Sequence, residues 1–200
     1  MAAIHRDGVL AVDAARFRLR DLGDGLTFLD RALPPDLLWS PAQFEEAWAL
    51  HPEVKPTIHL HGRLVMIPRW QQAYGEPYHF SGQISRALPM PALLQPLLDW
   101  TKSAIDPALN ALLLNWYDGP GHYIGPHRDS TVRMIRGCPI VTVSFGETRS
   151  FRLTHGTGAE KRSLDFPAPG GTVFVLPYAT TGSGSTACRS RCGTRAGGFR

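Results

Sequence analysis

Short strand-like segments separated by glycine-rich turns set the fold class of this chain. Leu112 to Leu114, Ile140 to Phe145, Ser150 to Leu153 and Thr172 to Leu176 are apolar or alternate apolar with polar residues. Arg63 to Ile67 is an earlier run of the same kind. Two helical patterns precede most of these segments. Ser40-Pro41 with Gln43 reads as an N-cap, a proline at the first helical position and a capping-box partner. Phe44, Ala47 and Trp48 then form a core-facing stripe. The second pattern spans about Ala92 to Ile105. Leu93, Leu94, Leu97, Leu98 and Ile105 face inward, Pro91 opens it and Pro107 stops it. Pro96 lies inside, where it should end the first turn or kink the helix. The expected class is mostly β with flanking helices, a sandwich or barrel with the helices on one side.

A chain of 200 residues is most simply one domain with a substantial core. Residues 1–24 are a weakly patterned lead-in. No apolar run reaches the length of a membrane span, and the N-terminus lacks a signal-peptide apolar core. Three cysteines make no disulfide framework. A cytoplasmic protein with no membrane association and no obligate protein partner is expected. The formal net charge of +4 suggests nucleic-acid binding, but it comes from the last twenty residues. Those carry Arg189, Arg191, Arg195 and Arg200 and no acid. Without them 17 basic residues face 17 acidic ones, since 21 less 4 is 17. Phosphate binding therefore needs a local patch rather than bulk charge.

His127-Arg128-Asp129 is the chemically informative triplet. On an extended strand an imidazole and a carboxylate two residues apart project from one face. That is two-thirds of a 2-His-1-carboxylate facial triad for non-haem Fe(II). The bland alternative is a surface loop. Around the triplet lie ordered blocks: Pro68-Arg69-Trp70-Gln71-Gln72-Ala73-Tyr74-Gly75, Tyr78-His79-Phe80-Ser81-Gly82, Asn115-Trp116-Tyr117, Val143-Ser144-Phe145-Gly146 and Arg149-Ser150-Phe151. In this order they resemble the AlkB family of Fe(II)/2-oxoglutarate dioxygenases, over roughly residues 25–179.

The resemblance implies a double-stranded β-helix, or jelly roll, with the metal at its open mouth. It implies oxidative dealkylation of alkylated bases in DNA or RNA, with Fe(II) as metal and 2-oxoglutarate and O2 as cosubstrates. The partner would be alkylated nucleic acid, single-stranded or with its base flipped. His127 and Asp129 are then metal ligands. Asn115 and Tyr117 match the 2-oxoglutarate contacts; the alternative is a turn-forming Asn and a core Tyr. Tyr78, Phe80 and Ser81 match the nucleotide-recognition lid, Phe80 stacking on the base with His127 as the opposite face; an alternating strand aromatic is otherwise core. Arg69 and Tyr74 flank that lid, Arg69 as a phosphate contact or a salt-bridged strand-end arginine. Arg149 lies near the mouth. Ser130-Thr131 replace acidic residues often found after this triplet in relatives acting on nucleic acid.

The family pattern also requires a second histidine fifty to sixty residues after the first, then arginines on the last strand. After His127 this chain has only His155, in a segment that reads as a hairpin turn. Composition changes at Thr180: residues 180–200 hold five glycines, four arginines, three serines and one large apolar residue, Phe199. No packed strand is expected from such a stretch, and the last strands of the jelly roll are expected to be lost. Read with each codon taking the last base of one triplet and the first two of the next, Thr180 to Ser185 permits Asn-Arg-Gln-Trp-Val. The Ser185/Thr186 junction permits His, Ala187 to Arg189 Val-Pro, and Arg195 to Phe199 Gly-Arg-Arg-Ile followed by Ser. That is the missing ending, and it implies a reading-frame shift near Ala179–Thr180, in the gene or in the sequence read. Cys188 and Cys192 alone make a poor zinc site. The chain as written is expected to be impaired. Rival readings are a 2-oxoglutarate hydroxylase of the same fold acting on protein or a small molecule, and an inactive relic that binds single strands.

Overall fold

The computed structural model describes residues 18–23, 26–80, 82–125, 127, 129, 134–155, 159, 161–178 and 189–193. The chain begins with β1 (Arg18–Gly23) and β2 (Leu26–Ala32), followed by α1 (Pro41–Ala49). A ribbon of β3 (Thr57–Leu60) and β4 (Arg63–Met66) leads to β5 (Trp70–Tyr74). The hairpin β6 (Tyr78–Phe80) and β7 (Gln83–Ser85), the short β8 (Ala87–Leu88) and α2 (Gln95–Ala104) come next. Then follow β9 (Leu112–Trp116), β10 (Ile140–Val143), β11 (Arg149–His155), β12 (Arg162–Ala168), β13 (Thr172–Leu176) and β14 (Arg189–Gly193).

The central strand is β13, in a four-stranded sheet ordered β1-β2-β13-β10. Its near-continuous apolar run is buried on both faces. Val173 and Val175 point into a cluster with Leu33, Tyr74, Leu94, Leu97, Ile105 and Trp116. Phe174 and Leu176 point the other way, onto Phe151, Leu153 and Ala168. Phe174 stacks on Phe151 of β11 with ring centroids 4.3 Å apart. That second layer is the sheet β12-β11-β14. Each such side chain, removed from water, contributes about 1.5–3 kcal/mol before the entropy of ordering is set against it.

The helices cover the other side as their apolar stripes dictate. At α1 the Ser40 hydroxyl accepts from the Gln43 amide at 3.3 Å, and the Gln43 side-chain oxygen accepts from the Ser40 amide at 3.0 Å. The anticipated capping box is present. The indole N–H of Trp116 donates to the carbonyl of Ala47 at 2.8 Å, tying β9 to the end of α1. Strand β9 pairs antiparallel with β5, Gln71 opposite Asn115, and β5 pairs parallel with β8. Gly75, just after β5, has φ +86°, and a Cβ there would lie 2.7 Å from the carbonyl oxygen of Asn110. Only glycine lets the two segments pass so closely.

Two expectations are corrected. Helix α2 starts at Gln95, not Ala92, so Pro96 occupies its first turn. A proline there removes no helical hydrogen bond, because first-turn N–H groups have no intrahelical partner; residues 92–94 form a turn instead. Within 180–200, Arg189–Gly193 forms β14, paired antiparallel with β11 from Ser150↔Gly193 to Thr154↔Arg189. Backbone pairing to an open strand edge needs no apolar side chains. Residues 179–188 and 194–200, and the lead-in through residue 17, lie outside the described residues.

Candidate active site

Strands β5 and β9 build the floor. Trp70 pairs with Trp116, and Gln71 with Asn115. Alternation therefore puts Trp70 and Trp116 on the helix side and Arg69, Gln71, Asn115 and Tyr117 on the opposite face. Arg69 is buried on that face. Its Nε donates to Asn115 Oδ1 at 2.8 Å and its Nη2 to Gln71 Oε1 at 3.0 Å.

His127 and Asp129 meet beside this floor. His127 Nε2 lies 3.2 Å from Asp129 Oδ1. His127 Nδ1 lies 2.9 Å from the Gly125 carbonyl oxygen, which can only accept, so Nδ1 carries the proton and Nε2 is the nitrogen turned toward Asp129. Burial, the largest influence on the imidazole, works against its charged form. The hydrogen bond and charge of Asp129, with the Gly125 carbonyl, outweigh burial and the Arg69 guanidinium, and hold the His127 pKa above the usual histidine range. The influence of Arg69 also places the floor cluster within electrostatic reach of the pair.

The loop from Asp118 to Tyr123 closes one side. Buried Arg149 donates from Nη1 to the His122 carbonyl at 2.9 Å and from Nη2 to the Gly119 carbonyl at 3.0 Å. Its guanidinium carbon lies 4.6 Å from the centre of the Tyr117 ring. His122 Nδ1 accepts from the Asp118 amide at 2.8 Å, and Nε2 is 2.7 Å from Lys55 Nζ. Burial first, then the charges of Lys55 and Arg149, lower the pKa of His122 against the opposing pull of Asp118. Lys55 Nζ also sits 4.5 Å from the Trp70 ring centre.

Tyr78 and Phe80 stack side by side on the β6–β7 hairpin, ring centroids 5.8 Å apart and planes within 14°. Both are half-buried, and Ser81 lies outside the described residues. Tyr74 is a correction to the substrate set. It is 2% exposed, within the main core cluster, with its hydroxyl donating to the Leu50 carbonyl at 3.5 Å. Burial pushes its phenol pKa up. Tyr74 stands an odd number of positions from Arg69 along one strand, so the two point to opposite faces. Arg69 stands just before the start of β5, and its guanidinium engages Asn115 and Gln71 in the floor. The Lys55–His122 link joins residues remote in the chain and leaves no sequence signal, whereas Gln71 lies two residues from Arg69 on the same face, a spacing that could have suggested their contact.

Residues 55–180 match the 2OG-Fe(II) oxygenase superfamily, so the chain belongs to that superfamily. It is 32% identical to the DNA oxidative demethylase ALKBH2 of Homo sapiens over 132 residues, which is 62% of this chain and 51% of that protein. It is also 32% identical to ALKBH2 of Mus musculus over 108 residues, 52% of this chain and 45% of the relative. The chain thus spans about half the length of the curated relatives it matches. The solved structure of OsALKBH1 superimposes with a TM-score of 0.50 at 14% identity, covering 90% of this chain and 88% of that one. The jelly-roll class expected from the motifs holds. For the Fe(II) that membership implies, the donor set fits in part: an imidazole nitrogen and a carboxylate oxygen converge, but the described residues contain no group of three or more His, Cys, Asp or Glu able to hold a metal. The His155 side chain is not among those described.

Proposed function

We propose that this chain has the scaffold of an oxidative dealkylase acting on alkylated bases in nucleic acid. The observation that carries the reading is the convergence of His127 Nε2 and Asp129 Oδ1 to 3.2 Å. Fe(II) with 2-oxoglutarate and O2 would supply oxidation of the alkyl carbon, which leaves as an aldehyde. His127 and Asp129 would hold two positions of the metal. The Gly125 carbonyl fixes the ring so that Nε2 faces it. Asn115 and Tyr117 would donate hydrogen bonds to the cosubstrate's carboxylates.

Nucleic acid as the partner is supported by similarity to ALKBH2 proteins and by the paired aromatics at the lid. Phe80 would stack on the extruded base, with Tyr78 and Ser81 toward its edge or a phosphate. The cytoplasm is the compartment we propose, from the cysteine usage. Activity of the chain as written is impaired in this reading. Two protein ligands hold iron less firmly than three, and among the described side chains no arginine on the last strand is in place for 2-oxoglutarate. No described helix is long and apolar enough to cross a membrane. Oligonucleotide affinity tests the partner directly. Phe80→Ala should weaken binding of a methylated single strand by the stacking contribution of about 1–3 kcal/mol. Unchanged affinity in the variant, or binding no tighter than to an unrelated acidic peptide, rejects nucleic acid as the partner.

A further inference from the structure

Arg69 is a cation engaged with two neutral amides rather than displayed at the lid. Its Nε reaches Asn115 Oδ1 at 2.8 Å and its Nη2 reaches Gln71 Oε1 at 3.0 Å. A guanidinium donates only, so the atom of each carboxamide that faces it must be the oxygen. The amide nitrogen of each is then turned away from Arg69. Rotating either carboxamide by half a turn would set N–H against N–H and lose a charge-assisted hydrogen bond. One buried cation therefore fixes the sense of two amides at once.

Gln71 supplies a second, independent observation. It is 4% exposed, and its Nε2 finds no hydrogen-bond acceptor among the described residues. Burying a donor without an acceptor is unfavourable and rare enough to call for an explanation. A guanidinium with two amide donors beyond it is matched to an anion of planar, multi-acceptor geometry, and a carboxylate is the simplest.

We propose that Arg69 is a positioning residue for the cosubstrate: it locks the carboxamides of Asn115 and Gln71 with their oxygens inward, so that the two present N–H donors to a carboxylate of 2-oxoglutarate, directly or through one water. The inference rests on the cosubstrate reading above. It moves Arg69 from a lid contact with phosphate to the floor of the oxygenase site. The same lock disfavours ligands that need acceptors there, such as an amide or ammonium in place of that carboxylate.

The 200-residue protein labelled with nitrogen-15, alone and with Arg69→Met, Arg69→Lys, Asn115→Ala and the Arg69→Met/Asn115→Ala pair, tests this. The Asn115 side-chain amide resonances are identified by their loss in Asn115→Ala. They should shift in Arg69→Met and return part of the way in Arg69→Lys. Titration with 2-oxoglutarate in the presence of Mn(II) should show Arg69→Met raising Kd roughly tenfold, the loss expected for one hydrogen bond to a charged group. In the double variant the Arg69 change should add clearly less than it costs alone, because part of its effect acts through the Asn115 amide and only the Gln71 part remains. Unmoved Asn115 resonances in Arg69→Met, or losses that simply multiply in the double variant, overturn the lock. If neither the 200-residue chain nor its restored-frame counterpart binds 2-oxoglutarate while the Asn115 resonances do move, the lock stands and the cosubstrate reading falls with the role built on it.

Discussion

Replacing Arg149 with methionine removes the clamp on the loop between β9 and the His127–Asp129 pair. Two hydrogen bonds from a buried cation, to the carbonyls of Gly119 and His122, disappear. Each contributes about 1.5–3 kcal/mol. The contact over Tyr117 adds about 0.5–2 kcal/mol. One effect runs the other way. Arg149 Nε is buried without a partner, and methionine relieves that penalty of about 1–3 kcal/mol. The methionine stem keeps most of the apolar packing. The net loss is about 3 kcal/mol. For a domain of this size each kcal/mol moves Tm by roughly 2–4 °C, so a fall of roughly 6–12 °C is expected. Thermal unfolding by circular dichroism, with urea titration alongside, measures it. A fall under about 2 °C would refute the clamp. A large fall with no faster hydrogen exchange at residues 118–123 would show that the loss lies elsewhere.

Two other perturbations are as definite. Gly75→Ala forces a side chain into positive φ and onto the Asn110 carbonyl, and should destabilise by about 1–3 kcal/mol, read as a lower urea midpoint at unchanged slope. Burial first, then the charge of Asp106, push the Cys138 thiol from 9.0 to about 11. A folded-state pKa above the unfolded one gives stability that is complete below the ordinary thiol pKa and is lost as pH rises toward about 11. Unfolding free energy should therefore decline across that window in wild type and less so in Cys138→Ala, while iodoacetamide leaves the native thiol unmodified at neutral pH.

What could be read in advance was local. The start of α1 was fixed by Ser40, Pro41 and Gln43, whose partners lie within three residues of one another. The apolar run of β13 announced a strand buried on both sides. The start of α2 was misjudged because Pro91 and Pro96 are both acceptable first-turn prolines, and only packing decides between them. For Tyr74 the local signal is parity: it lies five positions from Arg69 along one extended run, so it faces the core rather than the Arg69 side. The strand β14 had no side-chain signal, since it forms by backbone pairing to β11. His127 and Asp129 were legible as a pair because a spacing of two residues brings them together even though no strand among the described residues includes them. Arg149, His122 and Lys55 were not, because each acts on a residue at least 27 positions away in the chain.

The central proposal is that His127 and Asp129 hold the metal beside a cosubstrate floor of Asn115 and Tyr117, and that the sequence after Ala179 impairs the chain. Turnover of 2-oxoglutarate with Fe(II) and an N-methylated single-stranded oligonucleotide tests it most directly, on this chain beside one carrying the restored reading frame. The account predicts weak or no turnover from the chain as written. It predicts turnover with aldehyde release from the restored-frame protein, abolished there by Asp129→Ala. Full turnover from the 200-residue chain, or a restored-frame protein that stays inert, would contradict it.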